Sequence, residues 1–540
     1  MSERRVTAER WLAAEPDDDV RAELIELLRG DPGILDERFA NGLSFGTAGL
    51  RAAIGAGPSR MNRLVVRRAA AGLVDHLLAS RPDAAGRGLL IACDARRKSA
   101  DFALDTARVA VARGMRATLI EGTTPTPVLA YNVARLGVAA GVMVTASHNP
   151  RDDNGYKVYL GDGAQIVPPH DVEIAGRIDA LDATTIDVAE PDHPLIERLS
   201  DEPTAAYLEW LPAVRRRPDV TGVRVGYTAM HGVGGAVVAR AFARCGLPAP
   251  VVVEAQQSPD ATFPTVAFPN PEEPGAMDMV IALGVREGLD VVIANDPDAD
   301  RLGVAVRTGD GFRLLRGDEI GWLLADHILR HTSGHDRLVV TTVVSSSLLA
   351  DMAAAHGVEC RETFTGFKWI ARAALDAEDR RLVFAYEQAL GYLVADRPLD
   401  KDGVSAAVVM AELAATVVAE GTTILGRLDA IAERFGRHLT AERSIHMEPS
   451  VGAALVRSMT ADPPTTIGGR PVVAVREFTE ANLLRLWLDE EGGRGVRLQV
   501  RPSGTEPKVK IYGEAVDAPV GMLDGLLDAL VALIDTTRGR

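Results

Sequence analysis

The sequence predicts an α/β protein of four domains, in which three similar α/β domains with mixed sheets precede a smaller C-terminal α+β domain. Three observations support this architecture. The chain has 540 residues, which is too long for a single hydrophobic core. Strand-like runs alternate with helical stretches, and the alternation starts again twice along the chain. In the last hundred residues, the runs GVRLQV and KVKIYGEAV alternate apolar and polar residues with a period of two, which is typical of half-exposed strands.

The first α/β segment follows a short helical lead-in, which we assign to residues 1–40. Its run VRAELIELL at 20–28 predicts an amphipathic helix that packs on the first domain. Domain 1, residues 41–205, contains the strand-like runs GLLIACD, ATLIEG and AGVMVT between helical stretches. The last of these runs opens into TASHNP at 145–150, where Pro150 stops the strand. Such a strand end is where α/β folds place their functional residues, although an ordinary turn has the same composition.

Two further α/β segments and one different segment follow. Domain 2, residues 206–318, contains VRVGYTAMHG, APVVVEA and LDVVIAND, and domain 3, residues 319–437, contains RLVVTTVV and RLVFAYE. Domain 4, residues 438–540, has the order strand, tight loop, strand in GVRLQV, RPSGTEP and KVKIYGEAV. It ends in a predicted helix with one apolar stripe of Met522, Leu526, Leu530 and Leu533.

Composition and charge limit the class of protein and its partners. The chain is 47% hydrophobic, and 59 Lys and Arg face 75 Asp and Glu, for a formal net charge of −16. This balance argues against nucleic acid or an anionic membrane surface as a partner. Cys93, Cys245 and Cys360 form no CxxC pair, which indicates a reducing compartment. Because the N-terminus lacks a signal-peptide apolar region and the longest apolar stretch carries Glu412, we expect a soluble cytoplasmic protein.

An acidic loop follows the strand-like run LDVVIAN. In DPDADR, Asp296, Asp298 and Asp300 alternate, so their carboxylates can converge from one side of an extended segment. Three close carboxylates repel one another unless a cation lies among them, and hard oxygen ligands favour Mg²⁺ or Ca²⁺. An EF-hand is excluded because Arg301 and Arg307 stand where it needs its glycine and its bidentate glutamate. A solvated acidic turn without a metal is the alternative.

A second polar loop, RPSGTEPK at 501–508, has the residue types of an anion site. Two hydroxyls, a guanidinium and backbone N–H groups around a glycine can surround a phosphate dianion. A Walker loop is absent, so ATP binding is not indicated. Two weaker loops are FAYEQALGY, where a strand ends on Glu387, and the glycine-rich FGTAGLR, which ends in Arg51. Together with TASHNP and the acidic loop, they indicate metal-assisted phosphoryl transfer on a sugar.

With these residues in place, the chain resembles the α-D-phosphohexomutase superfamily of phosphoglucomutases and phosphomannomutases. The resemblance runs from about residue 40 to the C-terminus and rests on TASHNP, DPDADR, FAYEQALGY and RPSGTEP in the family's order. The stretches FGTAGLR, TGFKWI and LDKDG are most similar to the branch of phosphopentomutase-type phosphoglucomutases and their bacterial homologues. The family's architecture, three similar domains and a smaller fourth, agrees with the pattern above.

The resemblance implies roles around the transferred phosphoryl group. Ser147 matches the residue that carries the group as phosphoserine. The Mg²⁺ ligands would be one phosphoserine oxygen and the three carboxylates of Asp296, Asp298 and Asp300. Arg51 and Lys157 match basic residues near this phosphate, and Lys157 is the better acid–base candidate. His148 either supports the loop or is purely structural.

The resemblance also implies the residues that bind the sugar. Those that match sugar- and bisphosphate-contacting positions are Arg301, Thr365, Glu387 and Lys401. Those that match the site of the phosphate that is not transferred are Arg501, Ser503, Gly504 and Thr505. The loop FAYEQALGY at 384–392, which we call the sugar loop, departs from the family's usual pattern. Gln388 follows Glu387 where a second glutamate is usual, and Ala389 offers no hydroxyl.

The function implied is that of a phospho-sugar mutase, which interconverts the 1-phosphate and 6-phosphate of glucose or mannose through a phosphoserine and a sugar bisphosphate. A sugar 1,6-bisphosphate would be its activator, and the chain would be a monomer or a dimer. Phosphopentomutase activity is the first alternative and a metal-dependent sugar phosphatase the second. A sugar-phosphate sensor disagrees with the intact Ser147 and Lys157, and a glycosyltransferase with the lack of any resemblance to a nucleotide pocket.

Overall fold

The computed structural model describes residues 3–47, 49–490, 495–502 and 508–538. Within these ranges the strands form four sheets. Three of the sheets combine parallel central strands with antiparallel pairing at one edge, whereas the fourth is antiparallel throughout. The prediction of three α/β domains with mixed sheets and a different C-terminal domain is therefore confirmed.

Three helices precede the first sheet and pack on it. Asp31 caps the third helix through Gly33 N, and Pro32 starts it with a backbone that needs no hydrogen-bond donor. Trp11, Leu24 and other apolar residues of these helices belong to the same core as domain 1. The helices are α1 (Glu3–Ala14), α2 (Asp18–Arg29) and α3 (Pro32–Ala40).

Domain 1 is a sheet with the strand order β1-β5-β4-β2-β3-β6, covered by helices. Strands β2 and β4, which pair in parallel, are buried along their whole length because helices cover both faces. The elements are β1 (Leu50–Ala53), α4 (Arg63–Ser80), α5 (Ala84–Arg87), β2 (Leu89–Cys93), α6 (Ser99–Ala112), β3 (Ala117–Ile120), α7 (Thr126–Leu136), β4 (Ala140–Val144), β5 (Asp153–Leu160), α8 (His170–Asp179) and β6 (Ile196–Leu199).

Domain 2 repeats this plan on a smaller scale, with the strand order β11-β10-β9-β7-β8. Helix α9 (Glu202–Trp210) leads into it from domain 1. The buried strand β9 ends directly before the acidic loop. The further elements are β7 (Val225–Thr228), α10 (Gly234–Arg244), β8 (Val251–Val252), α11 (Glu254–Gln257), α12 (Asp278–Glu287), β9 (Val291–Ala294), β10 (Gly303–Thr308) and β11 (Gly311–Leu314).

Domain 3 has the strand order β13-β12-β14-β15, and its strand β14 ends on Glu387. Helix α16 carries the predicted long apolar stretch and is almost entirely buried. The elements are α13 (Gly317–Arg330), β12 (Arg337–Thr342), α14 (Leu348–Ala355), β13 (Glu359–Thr363), α15 (Phe367–Leu375), β14 (Arg381–Glu387), β15 (Gly391–Leu393), α16 (Gly403–Ala419) and α17 (Ile424–Phe435).

Domain 4 is an antiparallel sheet with the order β16-β21-β20-β19-β18-β17. The closing helix forms as expected, but its predicted stripe is wrong at Leu533, which is 36% exposed. The buried stripe instead includes Leu523, Leu527 and Ile534, because the helix packs on the sheet by the face that carries these residues. The elements are β16 (His438–His446), α18 (Pro449–Ala461), β17 (Thr466–Ile467), β18 (Arg470–Phe478), β19 (Leu483–Leu488), β20 (Val496–Pro502), β21 (Lys508–Val516) and α19 (Met522–Arg538).

The charge inside the apolar helix α16 has a structural partner. Glu412 is fully buried and accepts hydrogen bonds from Arg215 Nε (2.8 Å) and Arg216 N (2.7 Å), and it lies 2.9 Å from His327 Nε2. Arg215 and Arg216 follow α9, near the start of domain 2. Their hydrogen bonds to Glu412 therefore hold this part of domain 2 against helix α16 of domain 3. Within the described ranges no single helix is long and apolar enough to cross a membrane, and only the pair α16 and α17, bent by 84°, passes by length and composition.

A close approach of α4 and α8 provides a test of packing in domain 1. A Cβ atom at Gly72 would lie 2.4 Å from Ile178 Cγ1 and 2.8 Å from Ile178 N, so Gly72→Ala must push α8 away. Overpacking of this kind costs about 1–3 kcal/mol, and we expect a lower unfolding temperature in calorimetry. Gly176→Ala, on α8 with open space around its Cβ, is the control and should be neutral or slightly stabilising. Equal behaviour of the two variants would contradict the tight helix contact.

Candidate active site

The loop that follows β4 holds Ser147 in an unusual backbone conformation. Its φ is 53°, in the left-handed region that non-glycine residues seldom adopt. Thr145 Oγ accepts a hydrogen bond from Ser147 N (2.8 Å), and the Ser147 side chain is nearly buried. Left-handed backbone of this kind costs about 1–3 kcal/mol and persists where the surroundings impose it. The structure therefore presents this serine in a fixed position.

Arg96 imposes that position, and the sequence analysis missed it. Its Nη2 donates to the carbonyl oxygens of Ser147 (2.6 Å) and Asn149 (2.6 Å), and its Nη1 donates to that of Pro150 (2.7 Å). Arg96 follows β2, and β2 lies beside β4, so both strands end at the same edge of the sheet. The run CDARR after a buried strand was the available sequence signal. A planar guanidinium suits this task because its donors can reach several carbonyl groups at once.

The three aspartates of the acidic loop converge, as predicted. Asp296, Asp298 and Asp300 are fully buried, and one carboxylate oxygen of each lies within 4.8 Å of the other two. Ser147 Oγ donates to Asp296 Oδ2 at 2.9 Å. Thr126, the first residue of α7, donates its backbone N–H to the carbonyl of Asp298 (2.9 Å) and its hydroxyl to the Asp298 side chain (2.7 Å). Domain 1 and domain 2 thus meet at this cluster.

The donor set fits a hard divalent cation. Asp298 Oδ1 and Asp300 Oδ1 are buried and have no hydrogen-bond partner among the described residues. Buried carboxylate oxygens without partners are costly, and a cation such as Mg²⁺ removes that cost. The protein ligands would be these three aspartates, with the oxygen of Ser147 at hydrogen-bond distance from one of them.

Charges around the cluster set the protonation of its members. Burial and the other two carboxylates raise the pKa of Asp296 well above its ordinary value. Burial also acts to raise the pKa of Asp300, but Lys157, Lys401 and Arg301 outweigh it and the pKa falls below the ordinary value. Lys157 Nζ donates to Asp298 Oδ2 (2.7 Å) and Asp300 Oδ2 (2.9 Å). These two carboxylates raise the pKa of Lys157 against the effect of its burial, so the ammonium form is held.

His148 and Arg51 lie on the other side of Ser147. The Nδ1 atom of His148 is 3.2 Å from Ser147 Oγ. Burial, followed by Arg301 and Arg51, lowers the pKa of His148 well below its ordinary value, so the imidazole is neutral. Arg51 lies on β1 and donates through Nη1 to Asn149 Oδ1 (3.0 Å), a residue of the serine-bearing loop.

Two of the predicted sugar-contacting residues, Lys401 and Arg301, lie beside the aspartates. Lys401 Nζ is 3.4 Å from Asp300 Oδ2 and lies over the ring of Phe367, which is two residues after Thr365. Arg301 Nη1 is 3.7 Å from Glu272, and its buried Nε has no hydrogen-bond partner among the described residues. The residues after the acidic loop pair with the hairpin that follows Glu387, through an Arg301–Gly391 bridge and a bond from Leu302 N to Leu390 O (3.1 Å).

The remaining predicted residues belong to the hairpin of β20 and β21. Arg501 lies opposite Lys510 on these strands, and its buried Nε has no partner within the described ranges. Ser503, Gly504 and Thr505 lie outside the described residues. Nearby, a cavity of about 280 Å³ opens between domains 2, 3 and 4. Its lining includes Glu272, which contacts Arg301, and Gln388, which follows Glu387.

Four family models match the chain in succession. They are described as phosphoglucomutase/phosphomannomutase α/β/α domain I (residues 42–185), domain II (205–309), domain III (316–435) and C-terminal domain (487–522). The chain belongs to the phosphoglucomutase/phosphomannomutase family. It is therefore an enzyme of the phosphomutase class, an isomerase that transfers a phosphoryl group.

Relatives and a solved structure agree with this family. A Haemophilus influenzae protein named a probable phosphomannomutase is 40% identical over 466 residues, which cover 84% of this chain and 93% of the relative. A human phosphopentomutase is 34% identical over 550 residues, which cover 92% of this chain and 89% of the relative. The crystal structure of a phosphoglucomutase/phosphomannomutase family protein from Burkholderia thailandensis superposes with a TM-score of 0.71 at 20% identity, covering 92% and 97% of the two chains.

Arg96→Lys tests the role of the guanidinium that holds the Ser147 loop of this phosphomutase. A lysine carries all its donors on one nitrogen and cannot reproduce contacts made from the two separate nitrogens Nη1 and Nη2, and loss of one charge-assisted hydrogen bond costs about 1.5–3 kcal/mol. We expect kcat to fall about ten- to a hundredfold, measured in a coupled phosphomutase assay. Arg97→Lys is the matched control, because the Arg97 side chain is half exposed and its carboxylate partner is 3.8 Å away. Loss of activity in both variants, or in neither, would contradict the role of Arg96.

Proposed function

We propose that this protein interconverts the 1-phosphate and 6-phosphate of a hexose, glucose or mannose, through a phosphoserine at Ser147 and a hexose 1,6-bisphosphate. The observation that carries the proposal is the position of Ser147 Oγ, 2.9 Å from Asp296 in a buried cluster of three carboxylates. A serine at a strand end has no packing reason to be held there in a left-handed conformation. A nucleophile or a phosphoryl carrier does need such fixed placement.

The charges of the cleft suit a phosphorylated sugar. The three aspartates stand against the cations Lys157, Arg301, Lys401 and Arg51. A bound Mg²⁺ supplies a Lewis acid that offsets charge on the phosphoryl oxygens. Together with the metal, these cations can contact phosphate dianions, although Glu272 and Asp400 pair with two of them and the whole chain carries a net charge of −16.

Two side chains manage the protons of the transfer. When the phosphoryl group leaves Ser147 for a sugar hydroxyl, the serine oxygen gains a proton and the sugar hydroxyl loses one. Lys157, an ammonium that donates to Asp298 and Asp300, is our candidate for the group that returns a proton to the serine oxygen. The neutral ring of His148, 3.2 Å from Ser147 Oγ, is our candidate for the group that accepts the proton lost by the sugar hydroxyl.

The second phosphate needs a separate site, because the bisphosphate must turn round between the two transfers. Within the described ranges the buried Nε of Arg501 in domain 4 has no hydrogen-bond partner, and this residue is our candidate for the site, together with Ser503, Gly504 and Thr505. Glu387, Thr365, Lys401 and Arg301 would hold the sugar between the two phosphates. The bisphosphate that forms is also the activator that phosphorylates Ser147.

The names of the relatives are compatible with two classes of sugar phosphate as the substrate. The name of the Haemophilus influenzae relative favours a hexose, whereas that of the human relative favours ribose or deoxyribose phosphates. Gln388 and Ala389 remove a charge and a hydroxyl from the sugar loop, so this loop does not distinguish the two. Phosphopentomutase activity is therefore the second candidate.

A panel of sugar 1-phosphates tests the proposal. We expect the protein, primed with a trace of glucose 1,6-bisphosphate, to convert glucose or mannose 1-phosphate to the 6-phosphate with the highest kcat/KM. Intact-mass analysis should find phosphate on Ser147, and Ser147→Ala should lose nearly all turnover while its unfolding temperature stays close to wild type. A higher kcat/KM for ribose 1-phosphate would replace the hexose by the pentose, and release of free phosphate would favour a phosphatase.

Asp298→Asn tests the metal site. The change removes one charge from the cluster and keeps its shape, so Mg²⁺ affinity and turnover should fall together, by about tenfold or more. Titration of Mg²⁺ in the assay, with calorimetry of Mg²⁺ binding, measures both effects, and high Mg²⁺ should restore part of the turnover. Asp290→Asn, on the surface before β9, is the control. Full wild-type activity in excess EDTA would disprove the metal assignment.

A further inference from the structure

Side chains of domain 4 form hydrogen bonds to the backbone of one loop of domain 3. This loop, Val343–Ser347, connects β12 to α14, and we call it the serine loop. Arg485 Nη2 donates to the carbonyl of Val343 (2.7 Å), and Arg497 Nη2 donates to the carbonyl of Ser345 (2.6 Å). Both arginines are buried. The position of the serine loop thus depends on side chains from β19 and β20 of the neighbouring domain.

A buried carboxylate of domain 4 holds the same loop from its other end. Glu514 accepts hydrogen bonds from Ser346 Oγ (2.5 Å) and Ser347 N (3.0 Å). Arg497 Nη2 lies 2.7 Å from the Glu514 side chain, and His438 Nδ1 lies 3.0 Å from it. Burial acts to raise the pKa of Glu514, but Arg497 and then His438 and Ser346 outweigh it and lower the pKa to about 2. The carboxylate is therefore charged and fully partnered at neutral pH.

The serine loop in turn holds the sugar loop. Ser345 Oγ accepts a hydrogen bond from Gln388 N (3.1 Å) and donates one to Gln388 Oε1 (3.1 Å). Its oxygen is also 2.8 Å from the hydroxyl of Thr342. Gln388 directly follows Glu387, the proposed sugar ligand. One hydroxyl thus fixes both the backbone and the side chain next to that ligand.

The domain 4 residues that hold the serine loop continue toward the proposed phosphate site. Alternate residues of β20 share one face of the sheet, and their cross-strand neighbours on β21 share it too. The directly opposed pairs on this face, in order from the serine loop, are Arg497 with Glu514, Gln499 with Tyr512, and Arg501 with Lys510. Arg501 therefore stands on the same rigid strand as Arg497, four residues further on.

The interface beside this contact is open. The cavity of about 280 Å³ between domains 2, 3 and 4 is lined by Val344 of the serine loop, Gln388, Asp318 and Tyr512, among others. The cavity supplies little apolar packing, and the apolar contact beside it is small, with Val343 and Val344 packed on Leu483 and Tyr512 of domain 4. The buried hydrogen bonds and ion pairs therefore add the orientation that this small cluster does not specify.

We propose that the serine loop couples domain 4 to the sugar loop, and that Ser345 and Glu514 are positioning residues for sugar binding. The inference rests on the proposed function. When domain 4 takes its position over a bound phosphate, Glu514 and Arg497 place the serine loop, and Ser345 places Gln388 and Glu387. The Glu387 carboxylate is then in position to bind the sugar only while domain 4 is docked.

The test compares Ser345→Ala, Glu514→Gln and the double variant in the phosphomutase assay. Each single variant breaks the same chain of contacts, so each should raise KM for the sugar 1-phosphate about tenfold with a smaller change in kcat. The double variant should be no worse than the worse single one, because the second change acts on a chain already broken. Arg443→Gln, which removes an ion pair between β16 and α19 within domain 4, is the control and should leave KM unchanged.

Hydrogen exchange supplies a readout that does not depend on activity. In Glu514→Gln, amides of segment 386–391 should exchange several-fold faster than in wild type, although the changed residue lies in another domain. Arg443→Gln should not alter them. If Glu514→Gln does not fold, Arg497→Lys replaces it, since a lysine keeps the charge and loses the fork between Ser345 and Glu514.

The outcomes distinguish a failure of the coupling from a failure of the proposed function. Additive losses in the double variant, an unchanged KM in either single variant, or unaltered exchange at 386–391 would overturn the coupling. A wild-type protein that turns over no sugar phosphate would instead overturn the proposed function, while the exchange experiment would still decide the coupling between the loops.

Discussion

Repulsion among three buried carboxylates is the constraint on which the cleft depends. Asp296, Asp298 and Asp300 are withdrawn from water at the end of β9, and such charges must be compensated locally. Arg301 of their own domain compensates part of this charge, and the rest of the compensation comes from other domains: Lys157 and the start of α7 belong to domain 1, and Lys401 belongs to domain 3. The electrostatic need of one loop thus draws three domains together. A cation between the carboxylates would share that task.

The Ser147 loop after β4 shows a second principle, which is that side chains distant in sequence fix the position of a loop. Ser147 adopts a left-handed backbone, and Arg96 fixes it through carbonyl groups instead of through its side chain. The hydroxyl is thereby left free to face Asp296. In domain 3 the same device recurs, since Arg485 and Arg497 fix the Val343–Ser347 segment by its carbonyl groups. Guanidinium groups organise both loops.

Local pattern was sufficient for the architecture and for much of the cleft. The buried strand before Ser147, the alternating aspartates and the hairpin of β20 and β21 follow from periodicity and composition. Arg96 and Glu514 could not be found in that way, because their partners are about 50 and 170 residues distant and become neighbours only through the sheets. Leu533 was misplaced on the stripe of α19 because several apolar residues of that helix satisfy a helical period, and packing alone decides among them.

The net negative charge of the chain has a consequence for the rate at which the enzyme encounters its substrate. The chain carries a net charge of −16, so its field at long range repels dianionic sugar phosphates before they reach the cations of the cleft. Salt screens this field beyond about 10 Å at 0.1 M, whereas contacts in the buried cleft are screened much less. Moderate ionic strength should therefore speed substrate capture, in contrast to enzymes whose surfaces attract their substrates. Salt at physiological concentration is in this sense favourable for the enzyme.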